Sequence, residues 1–546
     1  MGHGQPFGDT TWKQLDVMVE RVMAASGVPG ISLAVTDREV LLTTRTYGYA
    51  NVDAQEPARE ATAFEAGSIG KSFTAIAFLQ LEAEGKVDLQ APITRYLPWF
   101  EVQSEYEPIT VHHLLTHTSG VNGGSDFVPG APYEVWAVRR MRTFAAPGER
   151  FCYSNLGYKV LGLALEAIER KPYAQIIRER ILDPLGMESS FCSITHEMRH
   201  HLAVGYTDRY DDRPSLPEDG LVAATWLETN TGDGCLAMNA ADLATYLRAL
   251  LNAGGGSEGT VLDADQFASM RYPHEGASPE PDYGYGLESH VREGANRFGH
   301  AGGMVGYSSH MLADLMTGYG VVVLCNAIAP TTEIATYALD LLAADEAGME
   351  RPALSAIVDD PYAIEGSEAF VGAYTDGKIV ASVVAEGDRF FLQCDGERRP
   401  MRLRHPDVKD GPLVVDHPVV GRKVVRFGRT DGDDAVAEMY LGTRWLRHER
   451  YAGPVEFEVP PEWFAFTGHY RSHNPWNGTF RISIEKDRLV MEIRGHVLPL
   501  TAEGDGFLIY RGDIATERLE FDAVVDGQAL VCRYASGAEY SRFFTP

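Results

Sequence analysis

Apolar residues recur at helical spacing from Thr11 to Ala25, with Leu15, Met18, Val19, Val22 and Met23 on one face. Gly30 to Thr36 reads as a strand, Asp37-Arg38-Glu39 as a turn, and Val40 to Tyr47 as a returning strand, which together predict a hairpin. Phe73 to Glu84 predicts a strong helix with Phe73, Ile76 and Leu79 facing a core. Loops and helices alternate from Ala91 to about Ala253. Two strand-like runs, Met304 to Leu312 and Gly318 to Asn326, then precede a helix over Thr332 to Ala344. A sheet built from the first and last of these strands, with helices between, is an α+β arrangement rather than a βαβ alternation.

The pattern changes after Arg351. The stretch Arg351 to Glu368 holds Pro352, Pro361 and several acids and reads as a linker. Short alternating runs with Gly/Asp turns follow, which predict antiparallel β structure. This tail repeats itself. Phe370-Val371-Gly372-Ala373-Tyr374 corresponds to Phe466-Thr467-Gly468-His469-Tyr470, and Asp388-Arg389-Phe390-Phe391-Leu392 to Asp487-Arg488-Leu489-Val490-Met491. The halves close on His448-Glu449-Arg450-Tyr451 and Tyr540-Ser541-Arg542-Phe543-Phe544. The expected organisation is an α+β domain over 1–350, a linker over 351–368, and two small antiparallel β-barrels over 369–453 and 454–546.

A chain of 546 residues exceeds one hydrophobic core, in keeping with several domains. Its 77 Asp+Glu against 48 Lys+Arg give a net charge of −29, which repels nucleic acid and anionic membrane surfaces. Six cysteines are widely spread without a C-x-x-C pair, so neither a disulfide scaffold nor a zinc site is expected. His112-His113 and His200-His201 lack metal-ligand spacing with acids, and no cofactor motif is present. No metal or cofactor is therefore expected. Met1 to Gly8 lacks a basic patch followed by an apolar run, and no stretch of about 18 apolar residues exists. The expectation is a cytoplasmic protein, although an exported form without its leader would read the same.

Chemistry concentrates in three places. The first is Ser68-Ile69-Gly70-Lys71, an S-x-x-K at a helix start. Residues three apart share a helix face, so the lysine can reach the hydroxyl. The positive end of the helix dipole favours negative charge developing there. A serine hydroxyl needs such a base to become a nucleophile. A P-loop is excluded because Glu65 stands where that motif needs glycine, and a nucleophile elbow because Ala66 does. The second is Tyr153-Ser154-Asn155, after Pro147-Gly148-Glu149-Arg150. A lysine ammonium near Tyr153 is expected to lower its phenol pKa, so that it serves as base and then acid. Asn155 can hold a substrate carbonyl or orient Lys71. The third is His300-Ala301-Gly302-Gly303, expected to open a strand. Glycines let substrate backbone approach the strand edge, and the N–H groups of Gly303 and Ser68 can form an oxyanion hole.

Together with Ile109 to Gly120 and Tyr283-Gly284-Tyr285-Gly286-Leu287, these motifs resemble the class C β-lactamase and penicillin-binding-protein superfamily of serine hydrolases, from about Trp12 to Ala344. The resemblance implies an acyl-enzyme on Ser68, with Lys71 and Tyr153 as the proton-moving pair and Asn155, His300, Gly302 and Gly303 at the substrate. It makes His117 a packing residue at a helix end, not a triad histidine. One position departs from the pattern: Ala301 stands where the family has Ser or Thr, whose hydroxyl commonly meets a substrate carboxylate. This weakens the case for penicillins or a peptide C-terminus.

A catalytic domain followed by two barrels resembles the D-aminopeptidase architecture, in which a barrel loop shapes the site. Ser472 to Gly478 is a candidate for such a loop, with a plain surface turn as the preferred reading. The expected activity is amide cleavage in small peptides or amino-acid amides. A carboxylesterase, a D-Ala-D-Ala carboxypeptidase, a β-lactamase and a non-catalytic sensor are the alternatives. The expected partner is a small-molecule or short-peptide substrate, with a homo-oligomer left open.

Overall fold

A computed structural model describes residues 7–121, 130–255, 259–272, 282–292, 294–354, 360–364, 367–404, 412–429, 436–511 and 514–543. Most of the N-terminal octapeptide, parts of the expected linker and Phe544 lie outside the described residues. The chain forms two compact units: Met1–Thr207 with Leu221–Ser355, and Asp208–Gly220 with Ala356–Pro546.

The first unit is built on eight strands: β1 (Gly30–Thr36), β2 (Leu41–Asn51), β3 (Glu56–Pro57), β4 (Asp282–Tyr283), β5 (Glu288–Arg292), β6 (Ala295–Met304), β7 (Tyr307–Asp314) and β8 (Tyr319–Cys325). Their order in the sheet is β3-β2-β1-β8-β7-β6-β5-β4. All recorded pairings are antiparallel, and β1 meets β8 with Ile31 opposite Cys325. The helices used below are α1 (Asp9–Ser26), α2 (Gly70–Ala83), α3 (Val111–Leu115), α4 (Ala131–Ala137), α5 (Asn155–Glu169), α6 (Ala240–Leu251) and α7 (Thr331–Ala347).

Every residue of β1, β7 and β8 is buried, and β1 and β8 are the near-continuous apolar runs expected of central strands covered on both faces. Ile31, Leu33, Val35, Val321 and Val323 share one core with Leu15, Met18, Val19 and Val22 of α1 and Ile334, Leu339 and Leu342 of α7. The first hairpin turns where the Asp37 carboxylate accepts from the Glu39 and Val40 amides, each at 2.7 Å. This is the local Asx chemistry that makes aspartate a turn former.

Two strand expectations need correction. Met304 to Leu312 is not one strand: β6 ends at Met304, and the chain reverses through Gly306, at φ +86°, into β7. The apolar residues around the turn disguised it. For the same reason His300 to Gly303 closes a strand instead of opening one.

The second unit contains two closed antiparallel barrels of eight strands each, spanning Gly372–Thr375 to Arg444–His448 and Gly468–Arg471 to Glu539–Phe543. Closure removes the exposed edges that small sheets otherwise present. The repeat holds at the level of single bonds. The Tyr374 hydroxyl donates to the Phe370 carbonyl, and the Tyr470 hydroxyl to the Phe466 carbonyl, both at 2.8 Å. Asp208–Gly220 belongs to this unit: Leu216 packs on Val414 and Val424, and Arg402 reaches Glu218 at 2.8 Å. The loop Ser472 to Gly478 is tied to its own barrel, because buried Asn474 donates to Tyr540 Oη at 2.9 Å and Ser472 N–H bonds the Gly478 carbonyl.

Candidate active site

Ser68 sits in a 3₁₀ turn, Gly67–Ile69, that runs directly into α2. Its neighbours Gly67 and Ile69 are buried while Ser68 is partly exposed, so the hydroxyl is the reachable group of the turn. The turn depends on residue 67 being glycine. Its φ is +54°, and a Cβ there would lie 2.6 Å from the Gly303 nitrogen and 2.7 Å from the Gly303 oxygen. The nucleophile turn and the end of β6 therefore meet backbone to backbone, which brings the Ser68 and Gly303 amides into one region. Gly302 is equally constrained, since a Cβ would fall 2.0 Å from the Ala66 oxygen and 2.3 Å from Ser309 Oγ.

Lys71 is fully buried. Its Nζ lies 2.9 Å from Ser68 Oγ, 2.8 Å from Asn155 Oδ1 and 2.8 Å from the Asp233 carbonyl oxygen. Two of these partners can only accept, so two N–H groups are committed to them. The third direction points at the Ser68 hydroxyl. An ammonium donates to Ser68 along it, whereas a neutral amine offers it a lone pair. The same geometry thus serves a resting ion and a general base.

The Asp233 carbonyl was not anticipated from the sequence. Its loop is set by glycines: a Cβ on Gly232 would lie 2.5 Å from the Tyr158 oxygen, and one on Gly234 2.7 Å from the Gly67 oxygen. The available signal was Gly232-Asp233-Gly234, two glycines around a buried acid in a stretch without apolar periodicity. Gly286 of the Tyr283–Leu287 motif does similar work, packing where a Cβ would lie 2.9 Å from the Lys71 main chain.

Tyr153 and Asn155 flank Ser154, which caps α5 by accepting from the Gly157 amide at 3.0 Å. The cap places Asn155 on the first turn and Tyr153 just outside it. The Ser68 hydroxyl lies close enough to the Tyr153 phenol to favour its ionisation. Lys71 Nζ lies against the face of the Tyr153 ring, 4.8 Å from its centroid. Although 38% of Tyr153 is open to solvent, its hydroxyl end is crowded. Burial raises the phenol pKa, the Ser68 hydroxyl opposes the rise, and the charges of Asp233 and Glu288 add to it. The lowered phenol expected from the sequence is not what this packing produces.

His117 is buried at φ +58° and lies against the Tyr153 ring, with centroids 4.3 Å apart. It buttresses Tyr153, a more specific task than closing a helix. Its Nδ1 accepts from the Ser154 amide at 3.0 Å, which places the proton of a neutral ring on Nε2, toward Tyr283 Oη at 3.3 Å. The Tyr283 hydroxyl then has its proton for His300 Nε2, 3.0 Å away, and His300 Nδ1 donates to the Ala301 carbonyl. Both imidazoles are neutral in this chain of bonds. Burial lowers the pKa of each, and the Lys71 charge lowers it further. For His300 the Glu288 charge works in the opposite direction.

The structure thus brings Ser68, Lys71, Tyr153, Asn155, Gly302, Gly303 and His300 together. The six cysteines are buried free thiols. No group of acids, histidines and cysteines among the described residues is arranged to hold a metal ion.

Residues 15–345 match the protein family described as Beta-lactamase. The chain belongs to the beta-lactamase family. Over 325 residues it is 28% identical to Protein flp of Staphylococcus aureus (strain MW2), covering 58% of this chain and 63% of that protein's length. It is 26% identical to penicillin-binding protein 4* of Bacillus subtilis (strain 168) over 418 residues, covering 71% of this chain and 88% of that one. Among solved structures, the octameric penicillin-binding protein homologue from Pyrococcus abyssi is similar at a TM-score of 0.57 and 27% identity, covering 81% of this chain and 99% of that one. The beta-lactamase family chain is accordingly a member of the serine β-lactamase and penicillin-binding-protein superfamily of hydrolases. No helix among its described residues is long and apolar enough to cross a membrane.

Proposed function

We propose that this protein hydrolyses amide bonds in small peptides or amino-acid amides through an acyl-enzyme on Ser68. The observation that carries the reading is the three-point hold on Lys71 Nζ by Ser68 Oγ, Asn155 Oδ1 and the Asp233 carbonyl. Neutral Lys71 takes the Ser68 proton as Oγ attacks the substrate carbonyl. The oxyanion is met by the Ser68 and Gly303 amides, in an arrangement where one donor is worth about 3–4 kcal/mol. Tyr153, which keeps its proton because burial raises its pKa, protonates the leaving nitrogen as the C–N bond breaks and is resupplied from Lys71. Water then attacks the acyl ester by the reverse proton path, and Ser68 is regenerated.

The surroundings favour substrates without a carboxylate beyond the scissile bond. Ala301 offers no hydroxyl, and His300 is neutral because burial and Lys71 lower its pKa. Both features weaken the carboxypeptidase and β-lactamase readings. The two barrels following the catalytic domain match the D-aminopeptidase arrangement and support an aminopeptidase or amidase. From the octameric Pyrococcus abyssi homologue we infer that this chain also self-associates, which analytical ultracentrifugation tests directly.

The activity is tested by offering wild type and Ser68→Ala a matched panel: D- and L-aminoacyl nitroanilides, a nitrophenyl ester, a chromogenic cephalosporin and a D-Ala-D-Ala peptide. Turnover of the aminoacyl amides by wild type alone supports the reading. A preference for the ester or the cephalosporin moves the protein to carboxylesterase or β-lactamase.

A further inference from the structure

Glu288 occupies a special place in the sheet. β5 pairs with β6 only over Ala295–Gly299, and Glu288 opposite Gly299 ends that pairing. Beyond it, among the described residues, His300 to Met304 has strand pairing on the β7 side alone, so no strand covers its other edge. Glu288 therefore stands at the lip of that edge, opposite Gly299 and at the level where His300 follows. Its side chain is 26% exposed, with His290 Nε2 3.6 Å from its carboxylate.

Its charge reaches the reacting groups. It acts on Tyr153 and Tyr283, raising both phenols, and on His300 and His310, opposing the lowering that burial imposes. Burial raises its own pKa, but the effects that oppose it, led by the hydrogen bond with His290, keep the carboxyl below its ordinary value. The carboxylate is thus present as an anion at one end of the site. Lys71 is buried and turned toward Ser68, Asn155 and Asp233, so its amine does not face that carboxylate as a hydrogen-bond partner.

We propose that Glu288 is a specificity-determining residue that selects against leaving groups bearing a carboxylate and admits neutral or cationic ones. The inference rests on the acyl-transfer reading above, but not on amides being the preferred substrate. The terminal carboxylate of a D-Ala-D-Ala peptide belongs to its leaving residue. The hydroxyl missing at Ala301 is the one that would meet it, which makes the Glu288 end the leaving-group side. A like charge on the leaving group pays a penalty on the order of tenfold in rate at the effective dielectric of a partly exposed site.

The test uses two aryl esters that differ only in a carboxylate or a carboxamide on the phenol leaving group, and the same contrast built as two peptides. The wild type is expected to acylate faster with the carboxamide ester by about tenfold, with the gap narrowing as salt is raised. Glu288→Gln is expected to bring the ratio to about twofold, while Glu288→Asp keeps most of it. Thermal unfolding of each variant verifies that it is folded. Equal rates for the two esters with wild type, or an unchanged ratio in Glu288→Gln, overturn the proposal. If the esters behave as expected and neither peptide is cleaved, the role of Glu288 stands and the amide-hydrolase reading falls.

Discussion

Lys71 Nζ lies 2.8 Å from the main-chain oxygen of Asp233, a residue 162 positions further along the chain. The contact joins α2 to a loop whose path is dictated by what lies on either side of it. Gly232 fits against Gly162 of α5, and Gly234 against Gly67 and Gly70 at the nucleophile turn. Small residues here let three pieces of backbone share a space that side chains would fill. The orientation of the lysine is therefore a property of backbone packing as much as of the Ser68–Lys71 spacing.

Gly234→Ala tests this. Its Cβ would stand 2.7 Å from the Gly67 oxygen and 3.2 Å from the Ser68 nitrogen, so the turn must move. Displacing a nucleophile by an ångström costs about a hundredfold in rate, and we expect kcat to fall by that order with KM changed far less. Steady-state kinetics on a variant shown to be folded by circular dichroism gives the answer. Wild-type kcat would mean that the loop does not set the geometry.

Tyr283→Phe breaks the bond chain between His117 and His300 while keeping the ring. His300 then loses the donor at Nε2 that favours its neutral form. Its protonation should move to higher pH, and the acid limb of the kcat/KM profile with it. An unshifted acid limb would show that His300 ionisation is not coupled to turnover.

Lys159 and Glu134 form a buried pair at 2.7 Å, with side chains 1% and 2% exposed, joining α5 to α4. Lys159→Met removes the cation from a buried carboxylate and should cost about 3–5 kcal/mol in denaturant unfolding. Lys159→Met with Glu134→Leu should recover much of that loss. If the double variant is as unstable as the single one, charge burial is not the cause.

Stability should respond to pH with opposite signs in the two units. Burial lowers His310 from 6.5 to about 4, so the unfolded chain binds the proton more tightly. Its contribution is present above about 6.5 and is lost as pH falls toward 4. Burial pushes the Glu517 carboxyl in the second barrel up to about 7 from 4.5, so the folded state binds the proton more tightly. That contribution is complete below about 4.5 and is lost as pH rises through 7. Thermal melts of wild type, His310→Leu and Glu517→Gln between pH 4 and 8 separate the two. Each variant should flatten only its own limb, and a Glu517→Gln profile parallel to wild type would contradict the assignment.

Much of this was legible in the chain. Ser68, Lys71 and Tyr153-Ser154-Asn155 are local motifs, with a cap and a helix face written into adjacent residues. The barrel repeat was legible because Gly372 and Tyr374 recur as Gly468 and Tyr470, and the same tyrosine-to-carbonyl bond forms in both halves. What escaped detection depends on long-range contact. The Asp233 carbonyl carries no side-chain signature, and Glu288 reads as an ordinary acid after a glycine motif until the pairing of β5 with β6 is seen to end there. The turn at Gly306 was hidden because the residues around it are apolar enough to continue a strand. The phenol of Tyr153 was misjudged because its enclosure comes from His117 and Tyr283, which the sequence places 36 and 130 residues away.

Rapid mixing with a nitrophenyl ester, followed by quenching and intact-mass analysis, detects a transient acyl-enzyme on Ser68. The expected result is a burst of nitrophenol, a mass increase of one acyl group mapping to the Ser68 peptide, and its disappearance as substrate is exhausted, all absent in Ser68→Ala. Turnover by Ser68→Ala at the wild-type rate, or an adduct on another residue that forms and decays with turnover, would contradict it.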